Sequence, residues 1–160
     1  FYISGELARI DQSTKIGTQT TIIDTLLKRN ILLINLMDKK FGIILDGNDT
    51  SDVENIIYSE ESEDFLGIEC KKAISNSINK KTKKSTTSTI YFTNKIDNSY
   101  NINFKKLKGF PIYYEIISNN IISTYLAVEM TKKNIDPKIF EIDKKTSIYK
   151  MEDFRALMTQ

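Results

Sequence analysis

Side chains able to do covalent or metal chemistry are scarce in this chain. It has no histidine and no tryptophan, and its one cysteine is Cys70. Without histidine, His-based dyads and triads and the usual His/Cys zinc sets are excluded. A single cysteine forms no internal disulfide, so cysteine usage says nothing of redox compartment. Cys70 shares strand parity with Leu66, Ile68 and Ile74, which makes it a buried, inert thiol. The alternative is a reactive thiol whose pKa is lowered by Lys71 or Lys72. The run Asp46-Gly47-Asn48-Asp49-Thr50-Ser51-Asp52 invites a calcium loop, but Gly47 is misplaced for an EF-hand and no helices flank it. A turn followed by a helix N-cap accounts for it better. The carboxylate pairs Glu60/Glu61 and Glu152/Asp153 fall in a loop and at a helix start, where the second pair suits the macrodipole. Serine and lysine are too abundant for a serine–lysine nucleophile to stand out. No catalytic residue, metal site or cofactor is assigned.

Binding chemistry is better represented. Lys80, Lys81, Lys83 and Lys84 form a basic hairpin tip, either a phosphate or headgroup contact or a solvated loop that blocks edge pairing. The formal net charge of +2 is too near neutral to argue for nucleic acid. The aromatic cluster Tyr91, Phe92, Tyr100, Phe104, Phe110, Tyr113 and Tyr114 makes either a sheet core or the wall of an apolar cleft. No apolar run approaches the roughly 18–20 residues that span a bilayer. Phe1-Tyr2-Ile3 already reads as strand with no initiating methionine, so the chain looks like a fragment whose upstream part was removed.

The elements that must position these residues are mostly strands. From Phe104 to Ile117 a basic lead-in ends at Gly109, Pro111 opens a strand, and Ile112, Tyr114 and Ile116 follow in alternation. Proline is tolerated where a strand begins. After a turn at Ser118-Asn119-Asn120, Ile122, Leu126, Val128 and Met130 are expected on the same inward face. Upstream, Phe1–Asp11, Thr18–Leu27, Ile31–Met37 and Phe41–Leu45 read as a meander with turns at 28–30 and 38–40. Ser51-Asp52-Val53-Glu54 fits a capping box, predicting a short helix through Tyr58, with the acidic run Glu60–Asp64 as a solvated connection. Phe65–Ile78 and Thr86–Asn94 are strands, and Lys95–Lys108 is a longer excursion. Pro137–Ile142 is a short extended piece, and Met151–Met158 is an amphipathic helix. The expected fold is mainly β: a curved antiparallel sheet or half-barrel of about eight strands with one or two short helices, one domain over residues 1–160.

Two segments carry a resemblance. Leu66-Gly67-Ile68-Glu69-Cys70-Lys71-Lys72-Ala73 is similar to the Gly-x-x-Cys-x-Lys-Ala strand of the secreted GLPGLI family of Bacteroidota, and Gly109-Phe110-Pro111 stands where that family has Gly-Leu-Pro. Ile112 in place of the next glycine resembles sister families of unknown function. So do the opening (Tyr2, Gly5, Arg9, then Ile22-Ile23-Asp24) and the tail (Ile139-Phe140-Glu141-Ile142, then Tyr149-Lys150-Met151 and a terminal helix). The resemblance implies an exported periplasmic or envelope protein, often a lipoprotein, with a fold similar to half-barrel lipoprotein carriers. It supplies no catalytic residues.

Two functional classes are expected from these features. In the first, a non-enzymatic envelope protein shelters a lipid, acyl chain or acylated protein against Ile90, Phe92, Phe104, Phe110, Ile112, Tyr114, Ile116, Leu126 and Val128. Burial at about 0.8 kcal/mol per CH₂ would suffice for such a role. In the second, a filled-core module contacts an envelope protein partner through a sheet edge or the basic tip. Peripheral or lipid-anchored membrane association is expected of the native form, and nucleic acid is not an expected partner. Spare apolar volume separates the two classes: a carrier needs a cavity.

Overall fold

Strand pairing dominates the computed structural model, which describes residues 1–14, 17–36, 39–45, 52–80, 82–118 and 121–159. Eleven strands occur among them: β1 (Tyr2–Ser4), β2 (Leu7–Thr14), β3 (Gly17–Asp24), β4 (Arg29–Leu36), β5 (Lys39–Leu45), β6 (Asp52–Phe65), β7 (Ile68–Asn79), β8 (Ser85–Thr93), β9 (Phe110–Ser118), β10 (Ile121–Leu126) and β11 (Ser147–Lys150). One α-helix, α1 (Met151–Met158), follows β11 directly. The chain is mainly β and largely antiparallel, as its β-branched and aromatic content predicts. By its contacts the chain divides into two compact units, Phe1–Asn48 with Lys133–Gln160, and Asp49–Lys132.

The first unit holds a six-stranded sheet in the order β1-β2-β3-β4-β5-β11. What reads as one opening strand is a hairpin, because Gly5 at φ +55° lets the chain reverse between Ser4 and Leu7. The reversal between β3 and β4 lies at Thr25–Lys28, beginning three residues before the expected turn at 28–30, and is closed by Leu27 N–H donating to Asp24 Oδ1 at 2.8 Å. Ile22 and Ile31 pair across the sheet on one face, with Phe140 also buried. On the other face Phe41 meets Phe154 of α1 with ring centres 5.6 Å apart, so the helix docks through the aromatic side chain its period predicts. Pro137–Phe140 is a one-turn 3-10 helix rather than an extended piece, capped by the Asp136 carboxylate on Lys138 N–H. β11 is unforeseen and pairs parallel to β5.

The second unit is a five-stranded antiparallel sheet in the order β10-β9-β8-β7-β6. The predicted helix over 52–58 is instead the first half of β6. Its residues pair with β7 from Asp52↔Asn79 to Tyr58↔Ala73. A capping box is a local signal, and the cross-strand pairing of β-branched Val53, Ile56 and Ile57 outweighs it; Ser51, the proposed cap, lies outside the described residues. So does most of the Asp46–Asp52 run. The acidic stretch is also strand: after a register shift between Tyr58 and Ser62, Glu63 and Asp64 pair with Cys70 and Glu69.

The excursion between β8 and β9 folds back over one face of this sheet. Phe104 and Leu107 (5% and 2% exposed) pack with Ala73, Ile90 and Phe92, flanked by Ile56 and Tyr114. Local hydrogen bonds shape the loop: Asn101 Oδ1 accepts from the N–H groups of Asn103 and Phe104, both at 3.0 Å. Others tie it to the sheet. Lys106 Nζ donates to Glu54 O at 2.7 Å, and Tyr58 Oη accepts from Lys108 N–H at 3.0 Å. The loop ends at Gly109, where a Cβ would lie 2.6 Å from both Phe92 Cδ2 and Thr93 O and 2.7 Å from Asn94 Oδ1. Two of these neighbours belong to β8, so the chain can enter β9 here only without a side chain.

Gly109→Ala is therefore expected to destabilise the chain by about 1–3 kcal/mol through overpacking, read as a lowered urea midpoint at unchanged m-value.

Candidate functional site

The sequence-predicted cleft residues are partly brought together and partly dispersed. Ile90, Phe92, Phe104 and Ile112 are all buried, and Phe104 meets Tyr114 edge-on at 5.1 Å. Phe110, Tyr114 and Ile116 are half-buried. What surrounds Ile90 and Phe92 is the chain's own side chains, chiefly Phe104 and Leu107. Leu126 and Val128 are elsewhere, 51% and 82% exposed.

The register explains that correction. Ser118 pairs with Ile121, leaving Asn119 and Asn120 between them, so every even-numbered residue of β9 faces an odd one of β10. Tyr114 stands opposite Tyr125 and Ile116 opposite Ser123, whereas Ile122 and Leu126 stand opposite Ile117 and Tyr113. Residues directly opposite share a face. Ile122 and Leu126 thus belong to the other face from Tyr114, and a three-residue turn would have been needed to bring them together. Val128 and Met130 lie beyond β10 altogether.

The two faces differ chemically. On the covered face Tyr114 stacks on Tyr125 (4.6 Å, 16°) and its hydroxyl accepts from Asn103 Nδ2 at 3.0 Å. Burial, then the neighbouring Tyr125, pushes the Tyr114 phenol up to about 12 against the opposing pull of the Asn103 bond. On the other face Tyr113 stacks on Phe65 at 5.4 Å, and Tyr91 meets both rings edge-on or tilted. The Tyr113 hydroxyl donates to Glu115, and that bond, reinforced by burial, raises its phenol to about 12. Val53, Ile57, Ile78, Ile117, Ile122 and Leu126, all 44–64% exposed, leave this face apolar and open.

Cys70 is buried, and burial followed by the Asp64 charge pushes its thiol up. Lys72 is engaged elsewhere, on Glu61 Oε2 at 2.7 Å. The inert reading of Cys70 follows from that environment, and on β7 it shares a face with Ile68, Ile74 and Ile78, as its parity predicts, whereas Leu66 falls in the turn before the strand and Ile78 is 49% exposed. The basic tip is solvated in its described residues, with Lys80, Lys83 and Lys84 all exposed. Among the described residues no group of three His, Cys, Asp or Glu is placed to hold a metal.

Sequence reasoning missed two further features. The first is the outer edge of β10, the last strand of its sheet. Ala127 N–H donates to Ile112 O at 2.9 Å. Antiparallel pairs alternate, so the N–H and C=O groups of Ile121, Ser123 and Tyr125 point toward β9, and those of Ile122, Thr124 and Leu126 point away. The second is a pair of clefts in the first unit. One, of about 350 Å³, is lined by Leu7, Ile22, Asp24, Arg29, Ile31 and Phe140, among others. The other, of about 700 Å³, lies between β5, β11 and the end of α1. Leu107 carried too weak a signal to be singled out, being one apolar residue among three lysines and a glycine.

Two outcomes test this packing. Leu107→Ala should cost about 2–5 kcal/mol, whereas Val128→Ala should stay within about 0.5 kcal/mol, both read by denaturant unfolding. Tyr113 and Tyr114 bind their protons more tightly in the folded chain than at the ordinary phenol value of 10.0. Their contribution to stability is complete below pH 10 and is lost as the pH rises through about 12. Phenolate absorbance should show the two rings ionising near pH 12, with stability falling over that window.

No protein-family model matches the chain, and no curated protein or solved structure matches it either, so the likeness to exported Bacteroidota families rests on the short motifs alone.

Proposed function

We propose that the chain is a non-enzymatic interaction module of the cell envelope in which edge strand β10 takes up an extended, apolar segment of a protein partner. The observation that carries this is the combination on β10 of outward-facing backbone groups at Ile122, Thr124 and Leu126 with exposed Ile121 (66%), Ile122 (64%), Tyr125 (46%) and Leu126 (51%). An added strand would find ladder partners on its inner side and apolar side chains on both faces. The opposite edge is guarded. β6 carries Asp52, Glu54, Glu60, Glu61, Glu63 and Asp64, while β10 carries no charge at all. Charged edges resist pairing and neutral ones permit it.

The apolar-carrier alternative calls for spare volume around Ile90 and Phe104, and the packing of Leu107 there favours a filled core instead. The envelope location follows the resemblance of residues 66–73 and 109–111 to exported families.

The test is a displayed library of uncharged decapeptides panned on the chain, with hits measured by fluorescence anisotropy. Thr124→Pro removes an outward N–H and leaves pairing with β9 intact, a substitution that edge strands tolerate. Enriched peptides should lose affinity at least about tenfold on Thr124→Pro and be unaffected by Lys83→Glu. Peptides that bind the proline variant as well as the parent, or that respond only at the lysine tip, would contradict the proposal.

A further inference from the structure

The cleft of about 700 Å³ in the first unit is built from one end of a continuous aromatic patch. Phe41, Tyr149, Leu157 and Met158 provide apolar surface, and Lys39, Lys40, Lys145, Asp143 and Ser147 provide polar groups. The apolar part is held in place by ring contacts: Phe41 to Tyr149 at 6.2 Å, and both rings to Phe154 at 5.6 and 6.4 Å. Parallel pairing sets Tyr149 beside Ile43 and Ser147 beside Phe41, so β5 and β11 present these residues on one face. The C-terminal turn of α1 adds Leu157 and Met158, 41% and 53% exposed.

The charges are unbalanced. Three lysines face one carboxylate, and that carboxylate is already committed: Lys40 Nζ lies 2.8 Å from Asp143 Oδ2, and Lys145 N–H donates to Asp143 Oδ1 at 3.0 Å. Those bonds hold the Asp143 carboxyl below its ordinary range, so it stays ionised and keeps Lys40 neutralised. Lys39 makes no ion pair among the described residues, and the Lys145 ammonium, although its charge reaches Asp143, makes no salt bridge there. The cleft therefore combines an apolar wall with surplus positive charge at its rim. Its volume lies within the range of small-molecule sites.

We infer that this cleft binds a small anionic amphiphile, its carboxylate or phosphate head between Lys39 and Lys145 and its hydrocarbon body along Tyr149, Leu157 and Met158. This inference is independent of the role proposed for β10. The negative head answers the lysines that make no salt bridge, and the body covers the exposed side chains of Leu157 and Met158. The exposed lysines make the attraction sensitive to salt.

The test uses protein labelled at its methionine methyl groups and titrated with octanoate, octyl phosphate, neutral octyl glucoside and acetate. Met158 is the methionine of the cleft, and Met130, in the other unit, is the internal control. Octanoate or octyl phosphate should move the Met158 resonance saturably and leave Met130 still. The tighter of the two identifies the preferred head. Lys39→Gln combined with Lys145→Gln should weaken the anionic ligands about tenfold, and Lys83→Gln should not. Both lysines are exposed, so the fold should persist, checked by an unchanged signal of Met151, which opens α1 in the same unit. Acetate should leave Met158 unmoved. An equal response to octyl glucoside, full affinity in the double variant, or no movement of Met158 with either anion would overturn the inference.

Discussion

The packing of Phe104 and Leu107 onto Ala73, Ile90 and Phe92 is the contact on which the second unit depends. A single five-stranded sheet has two faces, and neither can bury itself. Here the excursion between β8 and β9 supplies the second layer without an α-helix, with one 3-10 turn at Asn98–Tyr100. Each large apolar side chain so buried contributes about 1.5–3 kcal/mol. The loop that carries them is held by bonds its own polar residues make, Asn101 to its backbone and Lys106 to Glu54. Gly109 then lets the chain pass close to Phe92 and enter the sheet again. Removing any one of these parts exposes the others.

Because that face is filled from within, the apolar surface that stays exposed in this unit lies on the opposite face and at the edges. The alternation along β10 gives it both ladder groups and apolar side chains pointing outward, and its neutrality contrasts with the acidic β6 at the far edge. The first unit solves its layering differently. A short helix docks Phe154 on Phe41, and an ion pair between Lys40 and Asp143 links β5 to the segment before β11. An exposed pair of that kind adds little stability, so its weight lies in arranging charge around the neighbouring cleft.

Much of the fold was legible because turns and β-branched runs alternate along the chain. Gly5, Asp24 and Asn79 each close a reversal by chemistry that sequence displays: a positive φ at Gly5, and a carboxylate oxygen of Asp24 and the amide oxygen of Asn79 accepting from N–H groups three residues on. The errors have one physical root, which is that local pattern does not know its tertiary partner. Ser51–Glu54 satisfied a helix cap, but Ile56 and Ile57 found strand partners in Ser75 and Ile74. The parity argument that joined Leu126 to Tyr114 failed because register is set by turn length, and a difference of one residue moves a whole strand to the other face. Of the candidate site, Ile90, Phe92, Phe104 and Ile112 were recognised as apolar, but the sequence could not show that Leu107 would pack with the first three. β11 is four residues long and pairs in parallel with a strand about a hundred positions earlier, a relation with no local signature.

Amide-resolved hydrogen exchange across β10 in the free chain tests the central claim most directly, since it reads the direction of each backbone group without needing a partner. An open edge predicts alternation, with Ile121, Ser123, Tyr125 and Ala127 protected by β9 and Ile122, Thr124 and Leu126 exchanging fast. Uniform protection would mean that the edge is already covered, and uniform fast exchange that the strand is not formed; either would contradict a β10 poised to receive another strand.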